Sequence, residues 1–178
     1  MRRPSNLGYQ LGVTMIELMI TIAIIAILVA VALPSFSGTI ERQRLRFAVE
    51  TIVSDLRLAQ TNAIAQGARG SSVVEFTVNG GDASIWSYSV NNTLLGALVS
   101  RSSTDFAGGL SLAVTNFGDS DGDGNLDVTF TADRGLDADG DGSVQITLGS
   151  TSATVSRNLL GLISVCSNAS LGYASCGN

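Results

Sequence analysis

Eight aspartates and one arginine fall between Asp119 and Asp141, a local charge of −7 in a chain of 178 residues whose net charge is −5. The rest of the chain therefore carries about +2, and the acidity belongs to one short segment. Asp119, Asp121, Asp123, Asn125 and Asp127 stand at alternate positions, so their oxygens can point to one centre, and Gly124 permits the sharp turn between them. This is the spacing of the first part of a calcium loop, with the Asn125 backbone carbonyl as a further oxygen. Asp137, Asp139 and Asp141 repeat the pattern eighteen residues later and could form a second site or complete the first. Phe130 and Leu148 occupy the positions where an EF-hand carries its closing glutamate, and the flanks read as strands. A pair of solvated Asp/Gly turns uses the same residue types and stays open beside the calcium reading. A structural Ca2+ is the one cofactor this composition suggests.

The chain has no histidine, and all ten of its cations are arginine. Histidine-ligated zinc and triads built on histidine are excluded. Without lysine either, no familiar activated nucleophile can be assembled. An acidic pair could serve glycoside hydrolysis, but these aspartates are spaced for a metal, so an enzyme is not expected.

A single carboxylate, Glu17, stands inside an apolar run. Val13 to Leu33 is interrupted only by Thr14, Glu17 and Thr21. Such a run is long enough to span a bilayer as a helix. Arg2 and Arg3 precede it and would stay in the cytoplasm. A cleaved signal peptide would use Ala30-Val31-Ala32, but its apolar core is usually 7–15 residues. Neither that reading nor a plain anchor gives Glu17 a reason to be there, since an acidic residue in a membrane segment is costly. Cys166 and Cys176, the only cysteines, lie on the far side of the membrane, where a disulfide closing a short loop is expected.

The elements that must carry these groups follow from periodicity. Leu45, Val49, Ile52, Leu56, Ala59 and Ala63 recur at helical spacing, and Arg42, Arg46 and Glu50 line another face. The stripe ends near Gly67. Pro34 should bend the helix. From Val73 the pattern becomes that of strands: Val73–Val78, a turn at Asn79-Gly80-Gly81, then Ala83–Val90, Leu94–Ser100, Leu110–Asn116, Leu126–Thr131, Val144–Leu148, Ala153–Arg157 and Leu162–Cys166. The expected fold is α+β, a long N-terminal helix on an antiparallel β-rich head.

The segment Gly12-Val13-Thr14-Met15-Ile16-Glu17-Leu18-Met19-Ile20, with Pro34 beyond the apolar run, resembles the processing and assembly motif of type IV pilins and pseudopilins. The resemblance implies that a prepilin peptidase cuts between Gly12 and Val13 and that the new Val13 amine is methylated. It implies a leader over 1–12, a transmembrane and assembly helix over 13–38, and a periplasmic pilin head over 39–178 that includes an amphipathic helix over 39–66. Glu17 of one subunit would then pair with the Val13 amine of another, a pair made strong by apolar surroundings. The run from Ile52 to Gly67 resembles the helix end of the GspH/FimT group of minor pilins and pseudopilins. That resemblance implies a structural subunit of the bacterial inner membrane that primes, caps or joins a type IV pilus or a type II secretion pseudopilus. Its partners would be other pilin subunits, the prepilin peptidase and the membrane. FimT-like proteins that take up DNA, the alternative reading, use a Gly-Arg-x-Arg pattern. This chain reads Gly161-Leu162-Ile163-Ser164 there, with Arg157 the one cation nearby, so nucleic acid is not an expected partner.

Overall fold

The computed structural model describes residues 12–78, 82–119, 124–131, 141–158, 160–168 and 171–177, with backbone alone at 31–35, 37 and 68. Contacts divide the chain into two units, 1–39 and 40–178. One helix, α1, is assigned from Met15 to Gln66 and contributes to both.

In the first unit the α1 residues from Met15 to Ala30 are apolar except for Glu17 and Thr21. Met15, Ile16, Leu18, Met19, Ile20, Ile22, Ile24, Ile25, Ile27 and Leu28 are all exposed in the isolated chain, and together they cover every side of the helix. A helix apolar all round belongs inside a bilayer or an assembly. Among the described residues no helix is long and apolar enough to cross a membrane. The apolar run itself extends past residue 30, the last side chain described before Phe36.

In the second unit α1 buries one stripe. Leu45, Ala48, Val49, Ile52, Leu56, Ala59 and Ala63 are fully buried, as the three- and four-residue spacing requires. Gln66 ends the α-helix because Gly67 takes φ +59, the left-handed conformation that closes helix C-termini and that glycine adopts without a Cβ clash. Nine strands follow: β1 Ser72–Val78, β2 Trp86–Asn92, β3 Gly96–Ser102, β4 Ser111–Thr115, β5 Leu126–Phe130, β6 Gly142–Leu148, β7 Thr151–Arg157, β8 Ile163–Ser167 and β9 Ala174–Ser175. They form a four-stranded sheet in the order β3-β2-β1-β5 and a five-stranded sheet in the order β4-β6-β7-β8-β9. All pairings are antiparallel except β8 with β9. The α+β expectation with antiparallel sheets therefore holds, with one short parallel strand added at the C-terminus.

One hydrophobic cluster joins the helix and both sheets. Val74, Phe76, Tyr88, Val90, Val128 and Phe130 come from the first sheet, and Leu112, Val144, Ile146, Ala153 and Val155 from the second. β2 and β6 alternate buried and more exposed residues along their whole length, the pattern of a sheet covered on one face. Gly142 opens β6 because the Phe117 ring occupies the space any Cβ there would need.

Two expected strands are displaced by two to three residues, and side-chain turn chemistry is the reason. The expected strand from Ala83 begins at Trp86, because Asp82 accepts hydrogen bonds from the Ser84 N–H and hydroxyl (2.9 and 2.7 Å) and holds a turn there. The strand expected from Leu94 begins at Gly96. The Asn92 side chain accepts from the Leu94 and Leu95 N–H groups, both at 2.9 Å, and makes these two leucines a turn. The Asn79-Gly80-Gly81 turn lies outside the described residues, within the connection between the paired strands β1 and β2.

Candidate processing and assembly site

Gly12 and Val13 precede the first turn of α1, and Val13 is 71% exposed. No side chain or backbone of the described chain approaches Gly12 where a Cβ would sit. Thr14 closes the helix N-terminus: its hydroxyl accepts from the Glu17 N–H at 3.3 Å, and its carbonyl accepts from the Leu18 N–H at 3.1 Å. Thr14 is therefore the N-cap of α1, and Glu17 stands three residues on, at the Thr-x-x-Glu spacing of a capping box. The sequence reading used Glu17 alone and treated Thr14 as an interruption. The pattern that reveals Thr14 is a Thr three residues before a Glu at the head of an apolar run.

Glu17 is the one acidic residue of the first turn and is exposed in the isolated chain. A carboxylate at this end of a helix is favoured by the macrodipole, by roughly 0.3–1 kcal/mol. That gain is small beside the cost of an unpaired carboxylate in an apolar assembly, so the cap does not remove the need for a cationic partner. The chain contains no lysine, so the α-amine is the only amine it can offer.

The acidic segment is described in part. Asp119 accepts from the Gly124 N–H at 3.0 Å, and Gly124 takes φ +90. Asn125 donates its side-chain amide to Glu75 at 2.8 Å. Asp127 lies on β5, is 2% exposed, and stands directly across the strand pair from Glu75. Asp141 is exposed just before β6. Asp121, Asp123, Asp137 and Asp139 lie outside the described residues. Among the described residues no three acidic, histidine or cysteine side chains converge on a metal position. Glu75 was not among the residues read from the sequence. Only the strand register places it opposite Asp127.

Cys166 and Cys176 form a disulfide with Cα atoms 4.8 Å apart. It holds β9 beside β8, where Cys166 faces Ala174, and it closes the segment that carries the buried Leu171. Arg157 is buried at the end of β7 with its guanidinium 4.9 Å from the Phe130 ring centroid. Arg157 is thus turned into the protein.

A second polar group ties α1 to the first sheet. Asp55, 6% exposed, accepts from the Tyr88 hydroxyl at 2.8 Å and from Arg101 Nε at 3.2 Å. Burial pushes the Tyr88 ionisation up, and the bond to the Asp55 carboxylate pushes it the same way. The same carboxylate holds the Arg101 guanidinium above its ordinary value. These bonds clamp the helix to the strands.

Residues 8–33 match the sequence family described as "Prokaryotic N-terminal methylation motif". No curated protein and no solved structure shows significant similarity to the chain. The match spans Gly12, Val13 and the apolar run, and it supports a type IV pilin-like protein. A motif of this kind indicates a structural subunit, processed by a prepilin peptidase and assembled with other pilin subunits.

Proposed function

We propose that this chain is a minor pilin or pseudopilin of the GspH/FimT type, which primes, caps or joins a type IV pilus or a type II secretion pseudopilus. The carrying observation is the methylation motif at residues 8–33, set on a helix that is apolar on every side and bears one carboxylate in its first turn. In this reading α1 spans the inner membrane once while the subunit is stored, with residues 40–178 in the periplasm. Cleavage after Gly12 frees the Val13 amine. On assembly the apolar helix leaves lipid for the filament core, and Glu17 pairs with the amine of a neighbouring subunit. Tight packing and this ion pair supply the free energy, and no bond is made or broken after processing. The test is fractionation of cells by shear: the processed protein should appear in the sheared filament fraction at a small ratio to the major subunit. Its absence from filaments in cells that cleave it normally would overturn the assignment.

We further propose that the loop from Asp119 to Asp127 holds a structural Ca2+, with Asp137, Asp139 and Asp141 able to add ligands. Alternate aspartates, a left-handed Gly124 and the bond from the Gly124 N–H to Asp119 support this reading.

A further inference from the structure

Apart from the short β9, β8 is the last strand of its sheet, and β9 pairs with it only at Cys166 and Ser167. The Ser167 carbonyl accepts from the Cys176 N–H at 3.4 Å, so it points away from β7. Hydrogen-bonding direction alternates along a strand, which turns the backbone groups of Val165 and Ile163 to that same side. No described strand pairs with Ile163, Ser164 or Val165 there. No charged side chain follows Arg157 in the chain, so this edge lacks the charges that keep sheet edges apart. The other edges are guarded. β3 carries Arg101, Gly118 bridges β5 at Asp127, and the Leu112 N–H of β4 donates to the Ala83 carbonyl at 2.8 Å. Over β8 lies only the segment 171–177. Leu171 is 4% exposed and belongs to the core cluster. Tyr173 and Val165 line one recess with Val53 and Glu50 of α1. The Cys166–Cys176 disulfide ties the segment to β8.

We propose that the outer edge of β8 is a pairing surface for a second copy of this chain, and that the disulfide-held strap over 171–177 keeps it closed. With the strap lifted, Ile163–Ser167 is a five-residue edge. Two such edges meet antiparallel about a two-fold axis, so one copy supplies the complement of the other. Leu162-Ile163-Ser164-Val165-Cys166 is apolar and β-branched, with no proline and no charge, the composition of segments that pair between chains. Two copies therefore meet without like-charge repulsion along the contact. Release also uncovers the seat of Leu171, which adds apolar surface beside the edge. Closure of the disulfide thus decides whether the chain stands alone at β8 or pairs there.

The experiment uses the full chain in detergent, either oxidised or reduced after folding by a phosphine, with the thiols then capped by iodoacetamide. Hydrogen exchange reads the strap and the strands, and light scattering reads the protein mass per micelle. The oxidised chain is the baseline, since α1 is the same in both states. Reduction should speed exchange over 171–177 by about tenfold or more and should raise the mass toward that of a dimer as concentration rises. Ser164→Lys replaces an exposed residue and puts a charge on the edge. In this variant the reduced strap should open equally, and the mass should stay at the oxidised value. Leu171→Asp, which unseats the strap with the disulfide intact, should give the same dimers and serves if reduction opens β6 and β7 as well. A strap that stays protected after reduction, or an opened strap with no gain in mass, would overturn the proposal. Dimers that survive Ser164→Lys would put the contact on another surface and overturn it too.

Discussion

The cap at Thr14 and the charge at Glu17 can be separated, because the fourth position of a Thr-x-x-Glu helix start accepts Gln in place of Glu. Thr14→Ala removes the hydroxyl that accepts from the Glu17 N–H at 3.3 Å. Loss of such a cap costs about 1 kcal/mol, roughly a fivefold change in an equilibrium. The assembly carboxylate is untouched. Glu17→Gln keeps the capacity to cap and removes the charge. A subunit's Val13 ammonium would then enter an apolar filament core facing a neutral acceptor, and breaking a buried pair costs about 3 kcal/mol or more. That is a loss of over a hundredfold in incorporation. The assay is immunoblotting of the sheared filament and membrane fractions, with cleavage checked in each. Both variants should be cut at Gly12. Thr14→Ala should stay within about tenfold of the parent in filaments, whereas Glu17→Gln should be nearly absent. If Thr14→Ala fails as severely as Glu17→Gln, the carboxylate acts through the helix cap, and the intersubunit pair is the wrong explanation.

Three further outcomes follow from the head. Tyr88→Phe removes the hydroxyl donor to Asp55 and should cost about 1.5 kcal/mol. It should also change the pH dependence: the folded chain holds the Tyr88 proton above the ordinary tyrosine value, so this stability is whole below about pH 10 and falls above it, by up to about 1.4 kcal/mol per pH unit. Urea midpoints between pH 9 and 11 should therefore fall less steeply in the variant, with a residual slope from Tyr173, whose ionisation burial also raises; parallel slopes would mean that Tyr88 is not the group involved. Replacing Cys166 and Cys176 together by Ser should cost at most about 2–3 kcal/mol, as expected for a loop this short, and should open residues 171–177 to protease; unchanged melting and unchanged proteolysis would show that β8–β9 pairing holds the tail unaided. Millimolar Ca2+ should stabilise the full chain in detergent by about 1–2 kcal/mol over EDTA, given an affinity of roughly 10⁻⁴–10⁻³ M, with Mg2+ doing much less; identical melting in all three conditions would reduce the aspartate loops to solvated turns.

The helix stripe was legible because each of its positions is decided by one period. Leu45 through Ala63 are buried where the 3.6-residue repeat puts them. The number of main strands was legible from turn residues, but two starts were not. Leu94 and Leu95 look like strand residues by type, and only the Asn92 side chain bonding both N–H groups makes them a turn. Partners across sheets were beyond sequence reasoning altogether. Nothing in the chain order says that Glu75 faces Asp127 or that Tyr88 and Arg101 meet on Asp55, since each contact depends on register between segments far apart. The N-terminal methylation motif was legible because its signal is local. Thr14 was misread for the same reason, since its hydroxyl was counted against an apolar run when it serves the backbone at the run's start.

The central claim is that residues 1–12 are a leader removed before assembly, and intact-mass analysis of the protein extracted from membranes tests it most directly. The account predicts a chain that begins at Val13 and carries one added methyl group on its α-amine. A chain that begins at Leu33, after Ala30-Val31-Ala32, would mark an ordinary signal peptide and contradict the account, because the Glu17 helix would then be discarded.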